Sequence, residues 1–235
     1  MKTESHKIET ALKKINNQSS FINELLKEAL LWPIDDSIQK IEDISYSWTA
    51  DELNAEGLDR DTVSSDIWQI QPLRHDQPWG IFILEFKKPD MLTGQRGLTG
   101  NLRKLLRGLV AKRRIQPNQP VWRSENLLFI CTHKYQYFKF AYFKIPVDGA
   151  KTAPLVTFGW GLDSPARTAC EFNLPELTWP EEDISPSGWI ARWAKAFDVE
   201  AVTKEFFTEY HNVFKGVEEN ITGIKNEEKK RLFMQ

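Results

Sequence analysis

The stretch Gly80–Lys88, with the sequence GIFILEFKK, decides the fold that we predict. Its apolar run is rich in β-branched and aromatic residues, which is typical of a central strand buried on both faces. The end of the run carries Glu85 and Lys87, and side chains two residues apart on a strand point to the same side. Because a charge at the end of a buried strand is costly without a partner or a metal, this end is the candidate functional site.

A second strand-like run begins at Asp66, and the composition of Arg74–Pro78 predicts a turn between the two runs. Together they predict a β-hairpin. Pairing centred on this turn places Asp66 opposite Lys87. It also places Trp68 opposite Glu85, so that Asp66 shares the face of the sheet that carries Glu85.

Two carboxylates and a lysine at one place are suited to a divalent metal that activates water beside a phosphodiester. In this hypothesis Asp66 and Glu85 are catalytic metal ligands for Mg²⁺. Lys87 is then the catalytic cation that orients the attacking water or stabilises negative charge on the phosphate. The simpler alternative is a cross-strand ion pair between Asp66 and Lys87, without any metal.

Length and composition limit the class of protein. A chain of 235 residues forms one large domain or a domain with an appendage. Its formal net charge of −2 argues against a uniformly basic nucleic-acid-binding protein, so any such surface must be local. Cys131 and Cys170 lie in apolar contexts without metal-ligand spacing, which predicts buried thiols in a reducing compartment. The sequence has no apolar stretch of membrane-spanning length and no signal-peptide pattern, so we expect a cytoplasmic protein without a membrane partner.

The order of the other segments predicts an α/β (α+β) fold, with a mixed β-sheet flanked by helices. We expect an α/β domain over residues 1–180 and a helical segment over 189–235 that begins a longer helical region. The apolar patterns predict helices at about 8–31, 98–114, 164–174, 189–197 and 203–221, and further strands at 127–132, 137–144 and 155–160.

The helix predicted at 98–114 is basic on one side, and no acid occurs between Asp90 and Glu125. In a chain of net negative charge, these cations produce a local positive field that suits the phosphate backbone of DNA. The alternative is a solvated helix whose C-terminal cations are favoured by the helix dipole. The candidate DNA-binding residues are Arg96, Arg103, Lys104, Arg107, Lys112, Arg113 and Arg114.

Four short motifs, in this order, resemble one family. They are Glu85-x-Lys87, then Arg96-Gly97-Leu98 followed by Leu102-Arg103-x-Leu105-Leu106, then Arg167-Thr168-Ala169, and finally Val202-Thr203-Lys204-x-Phe206-Phe207-x-x-Tyr210. Over about residues 20–235 the chain resembles the N-terminal region of type IIG restriction–modification enzymes and related phage-defence adenine methyltransferases. In those proteins this region is a nuclease-like domain of the PD-(D/E)xK type, followed by a helical spacer and the methyltransferase.

The resemblance implies a restriction-endonuclease-like fold in which Glu85 and Lys87 form the Glu-x-Lys pair and Asp66 is the upstream acid. Two departures matter. The chain has no Asn-Pro-Pro-Tyr methylation motif, so a methyltransferase or specificity subunit would be a separate partner. Asp66 follows Ser65 rather than a proline, which keeps Asp61 and Asp76 open as alternatives for the upstream acid.

Three functions follow as hypotheses. The first is a Mg²⁺-dependent endonuclease domain of a restriction–modification or phage-defence system that hydrolyses phosphodiester bonds in double-stranded DNA. The second is a catalytically inactive module of the same fold that binds DNA or docks a methyltransferase. The third is an interaction protein whose tryptophan-rich surface and C-terminal helices bind a protein partner.

Overall fold

The protein is described by a computed structural model that covers residues 2–48, 62–64, 66–74, 77, 80–93, 100, 102–107, 127–143, 155–162 and 166–220. The chain divides into two compact units, Met1–Phe197 and Asp198–Gln235. The first contains the sheet and the second contains a long helix.

Six strands form one sheet in which the order in space is the order in the chain. Neighbouring strands are antiparallel except for β3 and β4, which are parallel. The mixed sheet predicted from the sequence is therefore confirmed, although β1 was not foreseen. The strands are β1 (Ser45–Trp48), β2 (Ile67–Ile70), β3 (Gly80–Glu85), β4 (Leu127–His133), β5 (Tyr137–Phe143) and β6 (Leu155–Trp160).

One face of the sheet is covered by N-terminal helices. Helix α1 spans Lys2–Lys14, and α2 begins as Gln18–Ser20 and continues as a π-helix over Phe21–Ala29. The single helix predicted at 8–31 is thus two helices. The physical reason is a capping box, in which the Asn17 side chain accepts from the Ser20 N–H and starts a new helix.

The opposite face is covered by the connection between the two parallel strands. Residues 102–107 of this connection are helical, and we name them α3. Leu102, Leu105 and Leu106 are buried on α3 and belong to the same apolar cluster as Phe82 of β3 and Phe129 of β4. Because both faces are covered, the central strands are almost entirely apolar, as the run in β3 predicted.

The C-terminal part of the first unit extends further than the sequence predicted. A π-helical turn, α4 (Ala169–Asn173), is followed by a 3₁₀ turn at Leu174–Leu177 and by α5 (Pro186–Ala196). Sequence analysis placed α5 in the helical segment 189–235. In the structure, the buried side chains Trp189 and Trp193 of α5 pack in the same core as the sheet, so α5 belongs to the first unit.

The second unit contains α6 (Val199–Asn220), where we predicted a helix at 203–221. Phe207, Tyr210, Val213 and Val217 of α6 are exposed apolar or aromatic side chains. No helix in the described part of the chain is long and apolar enough to cross a membrane.

A glycine in β6 gives a stability prediction. Gly159 lies opposite Lys139 of β5, and a Cβ atom there would overlap the main-chain carbonyl oxygen of Phe138. Because backbone cannot move aside cheaply, Gly159→Ala should lower the free energy of unfolding by about 1–3 kcal/mol, measured by urea denaturation. Gly100→Ala is the matched control, since its Cβ meets nothing within 4 Å. Equal stability of the two variants would contradict the tight β5–β6 approach.

Candidate active site

The candidate site lies at the end of the sheet where the C-terminal ends of the central strands β3 and β4 are found. We call this end of the sheet the edge at which the site lies. Parallel strands present their carboxyl ends at one edge, and crevices outside such edges are common binding sites. Glu85 is the last residue of β3 and is half-buried. The antiparallel neighbour β2 starts at the same edge, directly after Asp66. The structure therefore brings Asp66 and Glu85 to one edge of the sheet, as the hairpin predicted.

The predicted register of this hairpin is wrong by two residues. Trp68 lies opposite Ile83, not opposite Glu85. The observed pairs are centred one residue earlier than the point that we assumed within the turn, because the composition of a turn does not by itself fix its centre. In the described part of the turn, the Gln77 N–H donates to the Arg74 carbonyl at 3.3 Å, and the Gln77 side-chain oxygen accepts from the Leu73 N–H at 2.8 Å. A shift of two residues leaves every side chain on its predicted face, so Trp68 still shares the face of Glu85.

The predicted backbone register, in which Asp66 lies directly opposite Lys87, is also wrong. The Lys87 N–H donates instead to the Thr62 carbonyl at 3.1 Å, and Val63 lies opposite Phe86. Val63 and Trp68 are five positions apart in the chain, but their partners across the hairpin are only three positions apart. The register therefore changes within the segment that contains Asp66. Asp66 remains half-buried at this edge, while Lys87 is exposed.

The Glu85 carbonyl accepts two hydrogen bonds from Ser64, in the segment before β2. The Ser64 N–H donates to it at 2.8 Å, and the Ser64 hydroxyl donates to it at 3.0 Å. The backbone from which the Glu85 side chain projects is thus fixed by two hydrogen bonds.

Sequence analysis missed the groups that surround Glu85, since they come from distant segments. Thr132 is its direct neighbour on β4, on the same face, and the buried Thr132 Oγ1 has no hydrogen-bond partner among the residues that the structure describes. Tyr135 follows in the turn after β4. Burial raises the pKa of the Tyr135 phenol, the negative charges of Glu85 and Glu42 raise it further, and a hydrogen bond with Gln18 opposes them. These groups form a polar cluster next to the apolar core.

The turn that carries Tyr135 is strained. Lys134 and Tyr135 both have positive φ, at 51° and 54°, and the Gln136 N–H donates to the His133 carbonyl at 3.0 Å. Turns whose two central residues have positive φ favour glycine and asparagine, because bulky residues are disfavoured in the left-handed region. Residues in strained conformations cluster at functional sites, so the turn is consistent with a functional edge.

The packing of Tyr135 explains how the turn persists. Its ring lies 5.8 Å from Phe21 and 6.3 Å from Phe138, measured between ring centroids, and Tyr135 is buried. Aromatic contacts of this kind contribute roughly 0.5–1.5 kcal/mol beyond the area that they bury. The core therefore holds the Tyr135 hydroxyl at the site.

The fit to Mg²⁺ rests on the donor atoms. Mg²⁺ takes carboxylate oxygens, is commonly held by one or two protein carboxylates, and keeps several waters. Asp66 and Glu85 supply such oxygens, and the unsatisfied hydroxyl of Thr132 lies beside one of them. Within the described ranges, no group of three or more His, Cys, Asp or Glu residues is arranged to hold a metal ion. The donor chemistry fits Mg²⁺, but an all-protein cage is not present in this part of the chain.

Three of the predicted DNA-binding residues fall on α3. Arg103, Lys104 and Arg107 are exposed, on the side of α3 opposite its buried leucines. The other four, and the alternatives for the upstream acid, lie outside the described residues; they are Arg96, Lys112, Arg113, Arg114, Asp61 and Asp76.

Both cysteines are buried, as predicted. Burial raises the pKa of the Cys131 thiol and raises that of Cys170 to about 11. Neither is suited to nucleophilic chemistry near neutral pH.

Comparison of the chain with protein-family models, with curated proteins and with solved structures finds no match.

Proposed function

We propose that this protein is a Mg²⁺-dependent DNA endonuclease domain with a restriction-endonuclease-like sheet. The observation that carries the proposal is the arrangement of three residues at this end of the sheet. Glu85 ends a central parallel strand, Lys87 follows it and is exposed, and Asp66 precedes the adjacent antiparallel strand. The buried, unsatisfied hydroxyl of Thr132 beside Glu85 gives further support.

In this proposal each residue has a separate role. Asp66 and Glu85 would hold Mg²⁺ through carboxylate oxygens. Activation of water and neutralisation of charge on the phosphate are the chemistry that the bound metal would supply. Lys87, exposed beyond the strand, stabilises the negative charge that develops on the phosphodiester. The Tyr135 phenol is protonated near neutral pH, as tyrosine ordinarily is, and burial raises its pKa further, so it can donate a hydrogen bond at the same end of the sheet.

The polar side of α3 would contact the DNA backbone. Each phosphate that a cation neutralises contributes about 0.9 to the slope of log affinity against log salt concentration. Replacing Arg103, Lys104 and Arg107 together by glutamine should therefore reduce that slope by about 3 and weaken binding to all DNA sequences alike. The measurement is fluorescence anisotropy of labelled duplex DNA across a salt series.

A matched control has the same change in net charge at other exposed cations. Lys13, Arg167 and Lys195 lie in the first unit outside α3, and each forms an ion pair with a glutamate. Their triple glutamine variant should keep the wild-type slope. Equal slopes for all three proteins would contradict a role of α3 in DNA binding.

The test of the proposed function is cleavage of supercoiled plasmid. Purified protein should convert it to nicked or linear DNA in the presence of Mg²⁺ or Mn²⁺, and EDTA should abolish the conversion. Intact plasmid at every metal concentration, with a folded protein, would contradict the proposal.

A second candidate function is a catalytically inactive module of the same fold that binds DNA or docks a separate methyltransferase. The register change around Asp66 favours it, since the upstream acid is not held in a regular ladder opposite Lys87. Such a module would bind duplex DNA equally with Mg²⁺ and with EDTA. The restriction–modification or phage-defence setting, and the methyltransferase partner, rest on the resemblance of the motifs.

A further inference from the structure

The backbone at Phe86, between the two residues of the Glu-x-Lys pair, is held by an unusual contact. The Phe86 N–H donates to the Thr132 carbonyl at 2.7 Å, which continues the hydrogen bonding between β3 and β4. The Phe86 carbonyl lies 2.8 Å from His133 Nδ1. A backbone group of the candidate site is thus bound by a side chain of the neighbouring strand.

The position of the turn explains this contact. In a continued parallel ladder, the Phe86 carbonyl would accept from the backbone N–H of residue 134. Lys134 instead begins the tight turn, with φ at 51°, and leaves the direction of the strand. The imidazole of His133 supplies a donor where the ladder ends. An unsatisfied carbonyl at this depth would be costly, since buried backbone groups are nearly always paired.

The contact also determines the tautomer of the histidine. A carbonyl oxygen only accepts hydrogen bonds, so Nδ1 of His133 carries the proton and donates it. In the neutral ring, Nε2 then holds the lone pair. The ring is 9% exposed and its centroid lies 6.1 Å from that of Tyr137, which restrains its orientation.

Besides the bond from the Phe86 N–H to Thr132, hydrogen bonds from two other segments hold the backbone of Glu85–Lys87. Ser64 donates to the Glu85 carbonyl, His133 donates to the Phe86 carbonyl, and the Lys87 N–H donates to Thr62. We infer that His133 is a positioning residue: its Nδ1–H fixes the backbone between Glu85 and Lys87, so that both side chains meet the scissile phosphate in one geometry. The inference rests on the proposed function for its catalytic consequence, but not for the hydrogen bond itself.

Two variants distinguish the effect of losing the hydrogen-bond donor from the effect of losing the imidazole ring. In His133→Asn, the side-chain Nδ2 occupies the place of Nδ1 and keeps the donor. In His133→Leu, an apolar side chain fills the space without a donor. Loss of a group that orients catalytic residues commonly costs about tenfold to 100-fold in activity. We therefore expect His133→Leu to lower kcat for plasmid nicking by about tenfold or more, with little change in KM, and His133→Asn to restore most of kcat.

Two further measurements do not depend on nuclease activity. The side-chain ¹⁵N spectrum of wild-type protein should show Nδ1 protonated in His133, assigned by its absence from the His133→Asn spectrum. The chain has 4 histidines, so the assignment is tractable. Hydrogen exchange at the Phe86 and Lys87 amides should be faster in His133→Leu than in wild type, and slowed again in His133→Asn.

The outcomes distinguish the two proposals. A proton on Nε2 of His133 in the wild type would overturn the positioning role, and this measurement needs no variant to fold. Equal amide exchange and equal kcat in wild type and His133→Leu would also overturn it. If the wild type does not nick DNA, the proposed function fails, whereas an Nδ1 proton and faster exchange in His133→Leu still support the positioning of this segment.

Discussion

Replacing Glu85 by glutamine should lower Mg²⁺-dependent plasmid nicking by about 100-fold or more, the loss that follows removal of a single well-placed electrostatic group. Glutamine keeps the size of the side chain but removes its charge, and it is a weaker ligand for Mg²⁺. Because Glu85 is half-buried at the end of β3, the fold should persist. Initial rates of nicking, with circular dichroism on the same samples, measure both effects.

The matched control is Asp90→Asn, which removes the same charge from an exposed residue shortly after the strand. Its nicking rate should equal that of the wild type. If Glu85→Gln also nicks at the wild-type rate, Glu85 is not a metal ligand, and the assignment of the active site to this edge is wrong.

The second large effect concerns stability. Phe140→Ala should lower the free energy of unfolding of the first unit by about 3–5 kcal/mol, measured by urea denaturation. Phe140 is fully buried on β5, and its ring stacks on Phe158 at 5.1 Å and on Trp160 at 5.5 Å between centroids. Alanine would leave a cavity that a close-packed aromatic cluster cannot fill by a small movement.

Leu162→Ala provides the control for this prediction. Leu162 is an apolar residue of the same unit, two residues after the end of β6, and is 70% exposed. Its truncation should change stability by no more than about 0.5 kcal/mol. If Phe140→Ala lowers the free energy of unfolding as little as Leu162→Ala does, the aromatic cluster around Phe140 is not a main part of the core.

The sequence predicted most of the sheet because its strands are continuous apolar or aromatic runs. The segments at 80–85, 127–133 and 155–160 have this character, and the structure contains strands there. The first strand, Ser45–Trp48, escaped prediction because it is short, is an outermost strand of the sheet and follows an acidic stretch. The break between α1 and α2 depends on the Asn17 capping box, which a window that averages hydrophobicity does not detect.

The candidate site was predictable only where its residues belong to one strand or one hairpin. Glu85 and Lys87 follow from one strand and its end. Thr132, Tyr135 and His133 reach the site through the parallel pairing of β3 with β4, and a long connection leaves this register unspecified. The composition of the turn after β2 likewise did not fix the centre of the hairpin, so the predicted register differs from the observed one by two residues.

The most direct test of the central claim is calorimetric titration of Mg²⁺ or Mn²⁺ into the wild type and into Glu85→Gln, with DNA nicking assayed on the same samples. We predict that the wild type binds the metal and nicks DNA, and that both properties are lost in Glu85→Gln. Metal binding and nicking that are equal in the two proteins, or absent from the folded wild type, would contradict a metal-dependent nuclease site at the end of β3.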